Sequence, residues 1–409
     1  MKLTPYREAL ALPGVRSLMV VALLARIPKT MTAITLTMYV VLHLDHGYAA
    51  AGLAGAAMTI GSAVGAPLLG RLVDRRGLRP VLALTTVTEA AFWATAQFMP
   101  YPVLLVGALL GGLLTLPVFG VVRQSVAALV PAAKRRPAYA LDSMGVELSF
   151  MVGPALAVVL ATSVSPRTVL LVVSGGITLA GLALFWLDPP TRTDHEPVDP
   201  ARPVSRREWL TPRMLGLLAV SAATTLTLGG TDVAVVAVLR TAGQVEWTGL
   251  VLTVWAVYSL IGGFVYGMVS RSISPVLIVT LLGLCTIPVG FAGTQWWSLG
   301  LALLPAGALC APALAANTNA VSQLVPPGVR GEAMGLQNSA ITTGLALGAP
   351  LAGAVIDASA PLWGFAATGL VGALVGVVLL PTELRRHRAG RAGRPVGEPP
   401  AKHPASVLD

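Results

Sequence analysis

The chain of 409 residues contains twelve apolar stretches, each long enough to cross a lipid bilayer as a helix. Crossing a hydrocarbon core of about 30 Å takes about 20 helical residues. Only 11% of the residues are charged, which is too few to cover the solvated surface of soluble domains. The sequence therefore predicts an all-α integral membrane protein with twelve transmembrane helices. The predicted spans are residues 16–43, 48–70, 79–98, 102–130, 138–162, 167–187, 213–239, 245–267, 275–294, 297–325, 332–357 and 361–381.

Basic residues are distributed unevenly among the loops between these stretches. Of the 28 Lys and Arg residues, 23 lie at the termini or in loops after even-numbered spans, and two lie in loops after odd-numbered spans. Because loops rich in Lys and Arg stay in the cytoplasm, both termini are predicted to be cytoplasmic, in a multi-pass protein of the cell membrane. This distribution accounts for most of the net charge of +10, so the charge does not indicate a nucleic-acid partner.

One long polar segment divides the spans into two groups of six. Residues 188–212 contain six prolines and nine charged residues, which is typical of an extended, solvated linker. We therefore expect six-helix transmembrane domains at residues 1–187 and 213–381, joined by this cytoplasmic linker. Residues 382–409 contain six basic residues and are expected to form a cytoplasmic tail that contacts anionic lipid.

The two halves of the chain resemble each other when the sequence is shifted by 195 residues. Nine of the 37 residues from Pro117 to Gly153 are then identical to their counterparts, including Pro117 with Pro312 and Arg135 with Arg330. A parallel repeat of six spans places substrate sites between the halves, near the middle of the membrane. The long spans 102–130 and 297–325 are expected to be tilted, or kinked at Pro117 and Pro312.

The loop after the second span holds an acidic residue among glycines and arginines. Glycine favours a tight turn, and Asp74 can pair with nearby arginines or face a helix N-terminus. The residues that form the pattern are Gly70, Leu72, Asp74, Arg75, Gly77 and Arg79. Together with the twelve spans, the linker and the repeat, this loop resembles the signature of the major facilitator superfamily. The resemblance covers about residues 10–382. It implies the two-bundle fold of that superfamily and a cytoplasmic gate at Gly70, Asp74, Arg75, Gly77 and Arg79.

The fifth span contains a Gly153-Pro154 pair. The pair is similar to part of the exporter motif of the same superfamily, although Ser149, Ala157 and Val158 replace the glycines of that motif. A Gly-Pro pair lets two helices approach closely and bends one of them. The resemblance favours an exporter of the drug/proton antiporter type, and the alternative is a generic helix kink.

Five of the charged residues within the predicted spans are candidates for function, and a charge costs about 2.5–3.5 kcal/mol at the bilayer centre on insertion scales. They are Arg26, Lys29, Glu89, Glu147 and Asp232. A low-dielectric environment favours the neutral form of a carboxyl group, which can then exchange protons near neutral pH. Glu147, Asp232 and Glu89 are therefore the candidates for proton coupling. The alternative is that these residues form buried pairs that fix helix packing.

Arg26 and Lys29 lie on one face of the first span, which lines the cavity in the resembled superfamily. Two buried cations need acids or a bound anion to offset their charges. We expect Glu147, at a similar depth, to offset the charge of Arg26. Lys29 is then expected to attract the negative end of a substrate.

Three further polar residues lie inside the predicted spans. Arg123 is expected to pair with Asp142 or with Asp74. Asn317 and Asn319 in the tenth span are expected to face the cavity, and the alternative is an interhelical hydrogen bond. These residues complete the set of candidate site residues.

The chain contains no sequence pattern of an ATPase, a hydrolase or a metal site. We therefore expect no enzyme activity, no metal and no cofactor. The sequence predicts a secondary transporter that works by alternating access and exports a small amphipathic compound in exchange for protons. An importer or facilitator of a small nutrient and a non-transporting receptor or scaffold remain alternatives. The expected partners are the substrate, protons and the bilayer, and the chain is expected to be a monomer.

Overall fold

The computed structural model describes residues 4–192, 204–269, 273–293 and 295–392, and for residues 382 and 384–392 it describes the backbone alone. The described residues form helices and no strand. The helices of the first half are α1 (Thr4–Leu10), α2 (Val15–Leu42), α3 (Tyr48–Arg76), α4 (Leu78–Thr95), α5 (Tyr101–Leu113), α6 (Val118–Leu129), α7 (Arg135–Ser163) and α8 (Pro166–Leu187). The helices that follow are α9 (Arg206–Trp209), α10 (Pro212–Thr241), α11 (Thr248–Met268), α12 (Pro275–Thr286), α13 (Trp296–Ala302), α14 (Leu304–Leu324), α15 (Arg330–Ala358) and α16 (Leu362–Ala392).

Each of the twelve predicted spans coincides with one helix or with two consecutive helices. Among the described residues, nine helices are long and apolar enough to cross a membrane, and ten if α13 and α14 count as one bent span. The remaining predicted spans are α4, whose hydropathy is lowered by Arg79 and Glu89, and the short apolar segment Pro275–Phe291. The all-α membrane fold predicted from the sequence is therefore confirmed.

The two long spans are not both interrupted at the predicted prolines. Pro117 stands at the N-terminus of α6, after the break that separates α5 from α6. Pro312, in contrast, lies inside α14, and the bend of 44° occurs at Leu303. Pro305 stands in the first turn of α14, where a proline is tolerated because its missing N–H has no partner within the helix. The break in this span therefore lies at Leu303, and Pro312 is within a helix that continues on both sides of it.

The last helix continues to Ala392, beyond the predicted end of the twelfth span at residue 381. The predicted tail thus begins as a continuation of α16. Residues 393–409 of the tail, residues 193–203 of the linker and Arg271 lie outside the described residues.

The internal repeat is visible in the helix boundaries. α7 and α15 each have 29 residues and begin 195 residues apart, at Arg135 and Arg330. A short 3-10 helix precedes each of them, at Ala132–Lys134 and Pro327–Val329. Equivalent segments of the two halves therefore fold in the same way.

The turns at Gly77, at residues 130–134 and at residues 325–329 lie at one face of the helix bundle, which we call the turn face. Gly77 has a φ of 84°, a conformation that a side chain disfavours and that lets α4 begin directly after α3 ends. The other end of the bundle, near Tyr48 and Thr248, is called the opposite face.

Candidate functional site

A cavity of about 860 Å³ lies between the two halves of the molecule. Its lining includes Ala51 near the opposite face and Gly331 at the turn face, and both halves contribute to it. The lining is mainly apolar, with a few polar and charged side chains. Its volume is within the usual range for small-molecule sites, about 300–1,000 Å³.

The two halves are in close contact at the turn face, between α3 and α15. A Cβ atom added at Gly70 would overlap the backbone carbonyl of Gly331. The Asp74 carboxylate accepts hydrogen bonds from the backbone N–H groups of Gly331 at 3.0 Å and Glu332 at 2.8 Å. Because these N–H groups belong to the first turn of α15, they have no partner within the helix and carry a partial positive charge.

Further polar contacts hold the two halves together at the turn face. The amide of Gln124 donates to Asp74 Oδ1 at 3.0 Å. Arg206, in the segment that leads into α10, donates from Nε to Glu332 Oε1 at 2.6 Å, and Arg71 Nε lies 3.8 Å from Glu332 Oε2. The end of the linker is thus attached to the same turn of α15 that binds Asp74.

The other residues of the predicted gate lie around the turn itself. Arg75 and Gly77 are exposed. Arg79 forms an ion pair of 3.0 Å with Asp188, and both side chains are about half exposed. Gly70 and Asp74 are therefore the residues of the motif that contact the other half, whereas Arg79 pairs with Asp188 at the C-terminal end of α8.

A second connection between the halves is made by α1 at the turn face. The Tyr6 hydroxyl donates to the carbonyl oxygens of Phe264 at 2.6 Å and Gly263 at 3.2 Å, and the ring stacks on Phe264 with centroids 5.2 Å apart. A Cβ atom at Gly267 would overlap the Tyr6 ring. Burial raises the pKa of Tyr6 to about 12, so the hydroxyl remains a donor at neutral pH.

Two carboxylic acids line the cavity. Glu147 of α7 accepts a hydrogen bond of 3.0 Å from the Ser259 hydroxyl of α11, and that hydroxyl accepts one of 3.1 Å from the backbone N–H of Ala311 in α14. Asp232 of α10 also lines the cavity and lies within electrostatic range of Glu147. Among the described residues, no basic side chain forms an ion pair with either acid.

Glu89, the third acid considered for proton coupling, has a different environment. Its side chain is 1% exposed, and Oε1 lies 2.5 Å from Lys29 Nζ. Its other oxygen accepts the backbone N–H of Leu116 at 2.6 Å, and Thr115 donates to Oε1 at 3.1 Å. Lys29 lines the cavity, but its charge is offset by Glu89. The expectation that Lys29 is free to attract a substrate is therefore wrong.

The charge of Arg26 is offset by Asp142 and not by Glu147. Arg26 Nη2 lies 2.5 Å from Asp142 Oδ1, and both side chains are at most 2% exposed. Arg123 Nε lies 3.7 Å from the other oxygen of Asp142. Of the two partners expected for Arg123, the structure shows Asp142, whereas Asp74 is bound by Gln124.

The two asparagines do not line the cavity within the described part of the chain. Asn317 is buried against α10, where its amide donates to Leu217 O at 3.0 Å and Ser221 Oγ at 2.5 Å. Asn319 is half-buried and accepts a hydrogen bond of 3.2 Å from Gln323. Asn317 therefore forms the interhelical hydrogen bond of the alternative, whereas the bond of Asn319 lies within α14.

Gly153 and Pro154 have separate roles. A Cβ atom at Gly153 would overlap the Thr30 hydroxyl, so glycine permits the close approach of α2 and α7. Thr30 donates to Ser149 O at 2.7 Å across the same contact. Pro154 lies inside the continuous helix α7 and lines the cavity.

Comparison with known proteins agrees with this architecture. A model of the Major Facilitator Superfamily matches residues 18–293 and 245–407. The chain belongs to this superfamily. No curated protein matches the chain in sequence.

Solved structures of transporters share the fold. The human organic anion transporter MFSD10 (TETRAN) is 19% identical, with a TM-score of 0.70, over 90% of this chain and 100% of that one. A bacterial homologue of the iron transporter ferroportin, in an outward-facing state, is 15% identical, with a TM-score of 0.71, over 90% and 100%. The E. coli fucose:proton symporter FucP is 16% identical, with a TM-score of 0.66, over 89% and 97%. At these identities the likeness shows the fold alone.

As a member of the major facilitator superfamily, the chain is a multi-pass membrane transporter for small molecules and not an enzyme.

Sequence reasoning missed Ser259 and Cys310, which line its cavity, and did not recognise Asn338 as a lining residue. Asn338 is a polar residue within an apolar span, and this contrast can identify it in the sequence as a candidate lining residue. Ser259 and Cys310 give no such signal, because small side chains of both kinds are common in buried helices.

Proposed function

We propose that this transporter exports small amphipathic compounds across the cell membrane in exchange for protons. The observation that carries the proposal is the pair of carboxyl groups, Glu147 and Asp232, in a mainly apolar cavity between the halves. Neither forms an ion pair with a described basic residue. A carboxyl group without a cationic partner binds a proton readily in a low-dielectric site.

Glu147 is the first candidate for the coupling residue. It belongs to the first half and is hydrogen-bonded to Ser259 of the second half. Alternating access separates contacts between the halves at one face and forms them at the other. The protonation of Glu147 therefore acts on a contact that changes during the transport cycle. Asp232 is the second candidate, whereas Glu89 holds Lys29 in place.

The proposed orientation places the turn face in the cytoplasm. It follows from the 23 basic residues at the termini and in the loops after even-numbered spans. The contacts at Asp74 and Tyr6 then close the cytoplasmic side, and the cavity is reached from outside. This is the conformation in which an exporter releases its substrate.

Two measurements test the proposal. A screen of amphipathic compounds for an increase in the melting temperature of the purified protein nominates a substrate, because a ligand stabilises the state that binds it. Transport of that compound is then measured in proteoliposomes under imposed pH gradients of either sign. Exchange for protons supports the proposal, movement together with protons indicates an importer, and absence of transport indicates a receptor or scaffold.

A further inference from the structure

A buried group with two cations and one anion lies beside the cavity. Arg26 and Arg123 share the single carboxylate of Asp142, and the three side chains are 1%, 4% and 2% exposed. Asp142 binds Arg26 at 2.5 Å and reaches Arg123 only at 3.7 Å. The group therefore has one positive charge in excess, which a buried site tolerates poorly unless another anion offsets it.

Arg123 is the member of this group that lines the cavity. Its Nε and Nη1 atoms are buried and have no hydrogen-bond partner within the described part of the chain. Its ion-pair partner among the described residues is Asp142, and neither Glu147 nor Asp232 forms an ion pair with it. A buried guanidinium with unused donors requires an acceptor, because unpaired buried polar groups are costly.

The second half shows that the fold does not need these charges. The residues 195 positions after Arg123 and Asp142 are Thr318 and Gln337, and Gln337 Nε2 donates to Thr318 Oγ1 at 3.1 Å. A neutral hydrogen bond thus joins α14 to α15 at the place where charged groups join α6 to α7. Helix packing alone therefore does not account for the extra cation in the first half.

We propose that Arg123 binds the anionic group of the transported compound, and that this group is a carboxylate. One excess positive charge matches one negative charge, and Nη1, which has no hydrogen-bond partner among the described residues, can donate a charge-assisted hydrogen bond to a carboxylate oxygen. The compound then lies in the cavity with its charged end near the turn face and its apolar part along the apolar lining. That the occupant is a transported compound rests on the proposed function. Binding of the carboxylate does not require proton exchange.

The test uses three probes with one apolar skeleton and different head groups: 4-phenylbutyrate, 4-phenylbutanamide and 4-phenylbutylamine. The melting temperature of the purified full-length protein is measured with each probe and with sodium chloride at the same concentration. The variants are Arg123→Gln and Arg123→Lys, and Arg240→Gln is a control for net charge because Arg240 is exposed. Arg123→Gln leaves Asp142 paired with Arg26, so the variant is expected to fold.

The proposal predicts that only 4-phenylbutyrate raises the melting temperature of the wild type. The increase should persist in Arg240→Gln, be reduced in Arg123→Lys and disappear in Arg123→Gln. An equal increase with the amide, the amine or chloride would overturn the proposal, as would a full increase in Arg123→Gln. The head-group comparison in the wild type decides the question even if Arg123→Gln fails to fold. Because the test needs no pH gradient, it can fail or succeed independently of proton exchange.

Discussion

The Asp74 carboxylate accepts a hydrogen bond of 2.8 Å from the backbone N–H of Glu332. Asp74 lies in the last turn of α3 in the first half, and Glu332 lies in the first turn of α15 in the second half. The bond therefore holds the halves together at the turn face. Because a helix N-terminus favours a negative charge, the carboxylate is a better partner than a neutral group of the same shape.

Asp74→Asn should leave the protein folded but slow its transport. The amide removes the negative charge and places at most one acceptor against two N–H groups, so the closed turn face should lose about 1–2 kcal/mol. We expect the transport rate in proteoliposomes to fall about tenfold when equal amounts of the two proteins are reconstituted. Asp188→Asn is the matched control, because Asp188 pairs with Arg79 at the exposed surface of the same face. Normal transport by Asp74→Asn would remove its role in the gate.

Tyr6→Phe should loosen α1 without removing its ring. The variant loses the hydrogen bonds to Gly263 and Phe264 but retains the stacking on Phe264. One hydrogen bond contributes about 1 kcal/mol, so opening of the α1 contact should become about fivefold more frequent. Hydrogen–deuterium exchange should show faster exchange in residues 4–14. Tyr48→Phe, at an exposed tyrosine, should show no change there, and unchanged exchange in Tyr6→Phe would contradict the role of the hydroxyl.

Arg26→Ala should destabilise the protein more than Lys29→Ala does. Arg26 is a large side chain that is 1% exposed and makes the closest contact to Asp142, so its loss leaves a buried cavity, and Asp142 keeps only Arg123 at 3.7 Å; the cost should be about 3 kcal/mol. Loss of Lys29 leaves Glu89 with hydrogen bonds from Leu116 and Thr115, so the cost should be smaller. The melting temperatures of the two variants are measured in the same detergent and compared. A lower melting temperature for Lys29→Ala would show that the Lys29–Glu89 pair is the more important one.

The sequence was sufficient to predict the helices and the repeat but not the pairing of the buried charges. Apolar length determines where a span lies, and the rise of 1.5 Å per residue gives the depth of Arg26. Depth alone suggested Glu147 as its partner. The rotation of α7 instead directs Asp142 toward Arg26 and Glu147 toward Ser259. That rotation depends on packing, such as the close approach of Gly153 to Thr30, which a single sequence does not specify.

The gate could likewise be predicted from the sequence only in part. The motif located Asp74, and its charge suggested a helix N-terminus as a partner. The identity of that partner, the first turn of α15, required the structure. The role of Tyr6 was missed entirely, because its contacts are with residues about 257 positions away in the chain.

The measurement that tests the central claim most directly is proton movement coupled to substrate movement, with Glu147→Gln as the variant. Glutamine keeps an oxygen that can accept the hydrogen bond of Ser259, so the substitution removes the exchangeable proton and little else. Glu246→Gln is the matched control, because Glu246 is exposed near the opposite face. Each protein is reconstituted in liposomes that contain a pH indicator, and the compound that most raises the melting temperature is added outside.

The account predicts that the wild type and Glu246→Gln release protons from the liposomes as the compound enters. Glu147→Gln should exchange the compound across the membrane with at least a tenfold smaller proton signal, since the transferable proton is absent. Entry of the compound through the wild type without proton release would contradict the account. Proton release by Glu147→Gln equal to that of the wild type would contradict it as well.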